Sequence, residues 1–315
     1  MLESAKFLLA GALALLIISW LSNLWALNST KRVAAREAQR VTAGVGAGGA
    51  GSSPVSGSPS SSGSPTTPGT THAELAATGD TPAHRVATWT AIIALVLITA
   101  YVILRATITG HGPFSNQHEF AMAFVWSILA LYLYFEWRHQ MRALSLVAIG
   151  VAAGLLLYGM NLDTSVRPLM PALQNNLLLS LHVGTAMLSY GAFCIAFAAA
   201  VLYLLRPHIR WKAIPSADAL DEVSYRAAVI AYPILTAMII LGAIWAETAW
   251  GRYWGWDPKE TAALVTWLVW SGYLHARVSR GWRGTKTAWL VVIGFATVLF
   301  AYFGNHFFGG LHSYA

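Results

Sequence analysis

Eight apolar runs separated by polar connections restrict this chain to one kind of fold. They are roughly Phe7–Leu27, Val86–Leu104, Phe120–Phe135, Ala143–Tyr158, Leu177–Leu205, Ala227–Ala246, Pro258–Leu274 and Thr287–Phe303. A bilayer-spanning helix needs about 20 largely apolar residues, and its backbone groups must be satisfied within the segment. No strand-like alternation of useful length appears. The expected fold is all-α, a polytopic membrane bundle of about eight transmembrane helices. Several runs are short for a span, which either helix ends reaching beyond the apolar stretch or a locally thinned bilayer explains. With 56% hydrophobic and 10% charged residues, the composition is that of a membrane protein rather than a soluble core of this size.

The first run reads as an N-terminal transmembrane anchor within residues 1–30, because no small-residue cleavage pattern precedes the charges that follow. Residues 31–85 then form a connection. Lys31, Arg32, Arg36 and Arg40 open it, and Ala43–Thr71 uses only Ala, Gly, Ser, Pro, Thr and Val. That composition cannot bury a core and reads as a low-complexity, disordered cytoplasmic linker. Residues 86–315 make up the main transmembrane domain. Within it, Asp218, Asp221 and Glu222 point to a short amphipathic piece ahead of the sixth span.

The net charge of +7 would suggest nucleic acid in a soluble protein. In a membrane protein basic residues mark cytoplasmic connections instead, so no nucleic-acid partner is expected. With the N-terminus outside, fifteen of the 20 Lys and Arg residues fall on the cytoplasmic side. Lys6, Arg105, Arg167, Arg252 and Lys259 fall on the other. The bias puts both termini, and the loop between the sixth and seventh spans, outside. Cys194 is the only cysteine and sits in an apolar run. A disulfide within the chain, a CxxC redox pair and a covalent haem of its own are therefore excluded.

The sixth-to-seventh connection, Trp245–Glu260, reads WAETAWGRYWGWDPKE. Asp257 suits an N-cap, Pro258 the first helical position, and Glu260 completes a capping box. A single Trp at a helix end reads as an interfacial belt residue. Trp250, Trp254 and Trp256, spaced by Gly251 and Gly255, are less easily explained by depth alone. They suit a large planar apolar ligand, because indole faces stack on it and glycines let the backbone come close.

Ten histidines are distributed unevenly. His72, His84, His139 and His208 fall in the linker or cytoplasmic connections and read as solvated. His111 and His118 sit in an outer loop, and His306 near the outer end of the last span. Three others are better placed. An ionisable group inside a span is costly, which raises the functional weight of His182 and His275. His275 lies ~26 Å along its helix from Pro258, whereas His182 is only ~8 Å past its outer helix start. These two cannot ligate one metal atom. His182 and His312 can both face the tryptophan loop, where neutral imidazoles suit the axial positions of a haem iron. His275 would belong to a second site.

The stretch WAETAWGRYWGWDPKETAALVTW resembles the tryptophan-rich WWD signature of haem-handling proteins. With YLHAR downstream, a terminal GLHSY, LHVGTAMLSYGAF and Asn305 seven residues before His312, the chain is similar to the CcsA or ResC type (labelled CcsB in some bacteria). The likeness covers about residues 110–315. It implies a haem-delivery subunit of a System II cytochrome c synthase, a haem lyase, in the bacterial plasma membrane with its active face extracytoplasmic. Haem b would be bound as substrate. The implied partners are a ResB-type membrane protein, apocytochrome c and a thiol-reducing protein. His182 and His312 would be the outer iron ligands. Trp250, Trp254, Trp256, Gly251, Gly255 and Asp257 would form the platform. His275 would be an intramembrane ligand whose opposing His comes from the partner. Many relatives have Tyr before the Glu where this chain has His118-Glu119, and His306 competes with His312 for the tail ligand. Two other readings stay open: a haem exporter without attachment chemistry, and a b-type haem subunit in electron transfer from quinol. The second usually pairs histidines at similar depth, which His182 and His275 do not offer.

Overall fold

The computed structural model describes residues 2–46, 81–166, 169, 173–174, 176–209, 214–304 and 308–312. Among them are eight α-helices and no strand. They are α1 (Leu2–Gly46), α2 (Pro82–Thr109), α3 (Gln117–His139), α4 (Ser145–Met160), α5 (Asn176–Leu205), α6 (Ala217–Trp250), α7 (Pro258–Ser279) and α8 (Thr285–Phe303). A 3-10 turn, Arg142–Leu144, precedes α4. Seven of these helical segments, 19 to 34 residues long, are long and apolar enough to cross a membrane. The eighth, α7, has 22 residues but carries Lys259, Glu260 and Arg277. The protein is a polytopic membrane helix bundle.

The short sequence runs were a matter of helix ends. The run Val86–Leu104 becomes the 28-residue α2, which starts at Pro82 on the N-cap Thr81. His84 consequently lies inside the bundle, 1% exposed, with Nδ1 3.4 Å from Asn23 Oδ1, and is not the solvated loop residue expected. Asp218, Asp221 and Glu222 form no separate piece either. They belong to the first turns of α6, where Asp221 pairs with Arg277 of α7 at 2.6 Å. Helix α1 is continuous past residue 30 to Gly46. The remainder of the expected linker, with His72, lies outside the described residues, as do Asn305 and His306.

Helix α5 is the centre of the bundle, packed against α6, α3, α8 and α4. In lipid, helices gain nothing from hiding apolar surface, so close approach and interhelical hydrogen bonds hold them together. The sequence of α5 supplies both. Ala192, Ala196, Ala198, Ala199 and Cys194 are fully buried. Ser127 of α3 donates to Met187 O at 2.6 Å, Ser189 to Ala231 O of α6 at 3.0 Å, and Ser224 of α6 to Ala196 O at 3.1 Å. Trp270 of α7 stacks on Phe193 at 3.9 Å. Large apolar side chains such as Phe7, Trp25 and Trp89 remain exposed on outer helix faces, where lipid is the solvent.

Two charged residues, near the C-terminal end of α2 and the N-terminal end of α3, are fully internal. Arg105 donates from Nε to Glu119 Oε1 at 2.8 Å and from Nη1 to Thr164 O at 2.7 Å. The second Glu119 oxygen accepts from both Ser115 N and Ser115 Oγ. His118, beside it, donates from Nδ1 to Gly159 O at 2.7 Å, and its Nε2 accepts from Tyr101 O–H at 2.6 Å. A carbonyl only accepts, which fixes this tautomer. Both ring nitrogens of His118 are thus committed to packing α2, α3 and α4, which is its structural role.

Candidate functional site: a cavity beneath the tryptophan loop

Helix α6 ends at Trp250, where Gly251 takes a left-handed conformation (φ 72°) and its N–H returns to Glu247 O. The chain re-enters the bundle at α7 through the expected capping box. Asp257 accepts from Lys259 N at 3.0 Å, and Glu260 Oε2 accepts from Asp257 N at 3.1 Å and Gly255 N at 2.8 Å. The Trp250–Asp257 loop is held at both ends by helix termini.

The C-terminal tail folds back onto that cap. Leu311 N donates to Asp257 Oδ1 at 2.5 Å, and His312 Nδ1 donates to Asp257 Oδ2 at 2.8 Å. Gly310 permits the approach, since a Cβ there would lie 2.3 Å from Asp257 Oδ1 and 2.9 Å from Pro258 Cδ. On the opposite wall, His182 of α5 donates from Nδ1 to Met238 O of α6 at 2.9 Å. Its ring lies flat against Gly242, where a Cβ would meet His182 Cε1 at 2.6 Å.

Both acceptors are oxygens without protons, so in each imidazole Nδ1 carries the hydrogen and Nε2 keeps the lone pair. Metal-binding histidines are oriented in this way, by giving the second N–H to a carbonyl or carboxylate. Burial lowers the pKa of His312 below the ordinary histidine value, partly offset by the bond to Asp257. For Asp257, burial pushes the carboxyl up, but the bonds from His312, Lys259 N and Leu311 N outweigh it and the net shift is downward. At neutral pH the pair is therefore a carboxylate and a neutral imidazole.

His182, His312 and Trp254 line one largely apolar cavity, together with Phe120, Val183, Met187 and Ile239. Trp245 connects the two histidines. Its indole lies parallel to the His182 ring (8°, 6.2 Å) and 5.7 Å from the His312 ring. Trp250 stands edge-on to His312 at 4.9 Å and to Trp245 at 4.7 Å. Trp256 takes φ 56°, is 70% exposed, and meets Trp254 edge-on at 5.8 Å. It is not among the residues that line the cavity.

His275 is elsewhere, exposed near the far end of α7, with Nδ1 3.4 Å from Ser279 Oγ. Sequence reasoning singled out His182, His312, Trp250 and Trp254, which the structure brings into one neighbourhood. It missed Gly242, Gly310, Trp245 as the contact between the two rings, and Lys259, which also lines the cavity. The helical spacing of Trp245 and Gly242 on α6 was available, but nothing local says which α6 face meets His182. Among the described residues no group of three or more His, Cys, Asp or Glu is placed to hold a bare metal ion.

Residues 114–312 match the family described as Cytochrome C assembly protein. The chain is 36% identical over 266 residues to the cytochrome c biogenesis protein CcsA of Trieres chinensis, covering 71% of this chain and 84% of that one. It is 34% identical over 280 residues to CcsA of Microcystis aeruginosa, covering 70% and 85%. In fold it is similar to the cytochrome c haem lyase CcmF, with a TM-score of 0.62 at 17% identity, over 96% of this chain and 46% of that longer one. The chain belongs to the cytochrome c assembly protein family, alongside its CcsA-type members.

Proposed function

We propose that this chain takes up haem b as a substrate, carries it across the bacterial plasma membrane, and presents it for covalent attachment to apocytochrome c. It would do so as one subunit of a System II cytochrome c synthase, with a ResB-type partner and its active face extracytoplasmic. One observation carries the reading. Two imidazoles, each with its Nδ1 proton already donated, face a single apolar cavity under a tryptophan loop. Haem suits that donor set: its macrocycle is planar and apolar, and its iron needs only two axial ligands. His182 and His312 would supply them, with Trp254 and Trp245 as walls and Trp250 packed edge-on against His312. The names of the CcsA relatives, cytochrome c biogenesis proteins, support the same pathway.

His275 would hold haem on entry from the other side of the membrane, opposite a ligand from the partner. At the outer platform, the CxxCH thiols of the apocytochrome add across the haem vinyl groups, and the CxxCH histidine replaces one axial ligand. Thiolate is the reactive form, so a thiol-reducing partner must keep those cysteines reduced. The buried Cys194 cannot serve. The contribution of this chain is then chiefly orientation of the reacting edge.

The test has two parts. The full chain purified with its partner is expected to show a low-spin, six-coordinate haem spectrum. Co-expressed with the partner and an apocytochrome in cells lacking their own assembly machinery, it should yield covalent haem on a denaturing gel. Haem-free protein from haem-replete cells refutes the haem reading. Bound haem without covalent product would reduce the role to export.

A further inference from the structure

The cavity that holds His182 and His312 is also lined by polar side chains that axial ligation leaves unused. Lys259, in the first turn of α7, lines the cavity with its ammonium 5.4 Å from the centre of the Phe120 ring. Among the described residues it forms no ion pair. The carboxylates nearest in sequence are engaged. Asp257 accepts from Lys259 N, Leu311 N and His312 Nδ1. Glu260, which also lines the cavity, accepts on Oε2 from Gly255 N and Asp257 N.

Two more donors line the same cavity. Gln117, one turn before Phe120 on α3, has a buried amide beside the Tyr158 hydroxyl. Tyr302, at the C-terminal end of α8, has a buried hydroxyl without a hydrogen-bond partner. An unpaired donor in an apolar site costs free energy, and an unpaired cation costs more once a ligand excludes water. An ammonium, an amide N–H and a phenol O–H share one complement: a group of acceptor oxygens carrying negative charge.

We infer that Lys259, assisted by Gln117 and Tyr302, binds a carboxylate of the ligand in this cavity. On the haem reading above, on which this inference rests, that group is a propionate. The histidines then fix the iron, while Lys259 fixes the rotation of the macrocycle about the axis between them. Rotation matters because it decides which edge faces an incoming apocytochrome. Axial ligation alone cannot set it, since coordination through two axial nitrogens is indifferent to turning about that axis.

The experiment compares ferric haem with its dimethyl ester, in which both carboxylates are neutral, by Soret titration of the full chain in nanodiscs. A charge-assisted hydrogen bond corresponds to a preference of about tenfold or more. The wild type is expected to prefer haem over the ester by that factor. Lys259→Met should bind both porphyrins with the affinity the wild type shows for the ester, keeping the low-spin spectrum because both histidines remain. Lys259→Arg should retain the preference, and Gln117→Leu and Tyr302→Phe should each lose part of it. A wild type that binds haem and ester equally overturns this inference and leaves the haem reading standing. So does Lys259→Met with the preference intact. If Lys259→Met fails to fold, the preference of the wild type and its partial loss in Gln117→Leu and Tyr302→Phe decide the matter. A wild type that binds neither porphyrin overturns both readings.

Discussion

Asp257→Asn tests whether the outer site is organised around a single carboxylate. Asp257 receives three donors: Lys259 N and His312 Nδ1 on Oδ2, and Leu311 N on Oδ1. An amide of the same shape has one acceptor oxygen. With that oxygen in the Oδ2 position, its NH2 meets the Leu311 N–H across a 2.5 Å contact. Turned round, it points donors at Lys259 N and His312 Nδ1, and His312 must move its proton to Nε2. Each orientation loses at least one bond to a charged acceptor, about 1.5–3 kcal/mol. That corresponds to a roughly ten- to hundredfold drop in affinity for the iron at this site, the usual scale for removing a group that orients a metal ligand. The assay is a Soret titration with the spin state read from the same spectra. Asp257→Asn should shift the outer haem towards a high-spin, five-coordinate form. The pH dependence gives an independent check. His312 is held below the ordinary histidine pKa of 6.5, chiefly by burial. Its proton therefore competes with iron only on the acid side, so wild-type affinity should be level above that value and fall as pH drops below it. An Asp257→Asn protein with unchanged affinity and a low-spin spectrum refutes the reasoning, as does wild-type binding that weakens as pH rises.

Gly242→Ala places a methyl group 2.6 Å from His182 Cε1. Ala favours the helix by up to about 1 kcal/mol, so helicity should persist while the low-spin haem signal is lost; unaltered spectra would mean that His182 does not ligate from this position. His275→Ala should lower total haem per complex, whereas His182→Ala and His312→Ala should keep inner haem and lose covalent cytochrome; full haem and full yield in His275→Ala would return that residue to an interfacial polar role. A reporter fused after Ala315 should be active outside and one inserted within Ala43–Thr71 only in the cytoplasm, and opposite signs would reverse the orientation drawn from the charge bias.

The local sequence was enough for the helices and the loop. A long apolar run must become a helix in lipid because its backbone has no other partner. Asp257, Pro258 and Glu260 specify a helix start through contacts a few residues apart, and the structure has that start. The depths of His182 and His275 along their helices were legible for the same reason, since depth along a helix follows from the chain alone. What the sequence left open depends on which helix faces meet. His84 reads as a loop residue until α2 is seen to begin at Pro82 against α1. Asp257 reads as a cap until the tail, 54 residues on, brings Leu311 and His312 to it. Gly242 and Lys259 have no local signal at all. Their roles come from an imidazole on α5 pressed against α6, and from a cavity that α3, α5, α6, α7 and α8 enclose together. Contacts between distant segments are set by packing the whole bundle, and a one-dimensional pattern carries depth and periodicity but not the rotation of one helix against another.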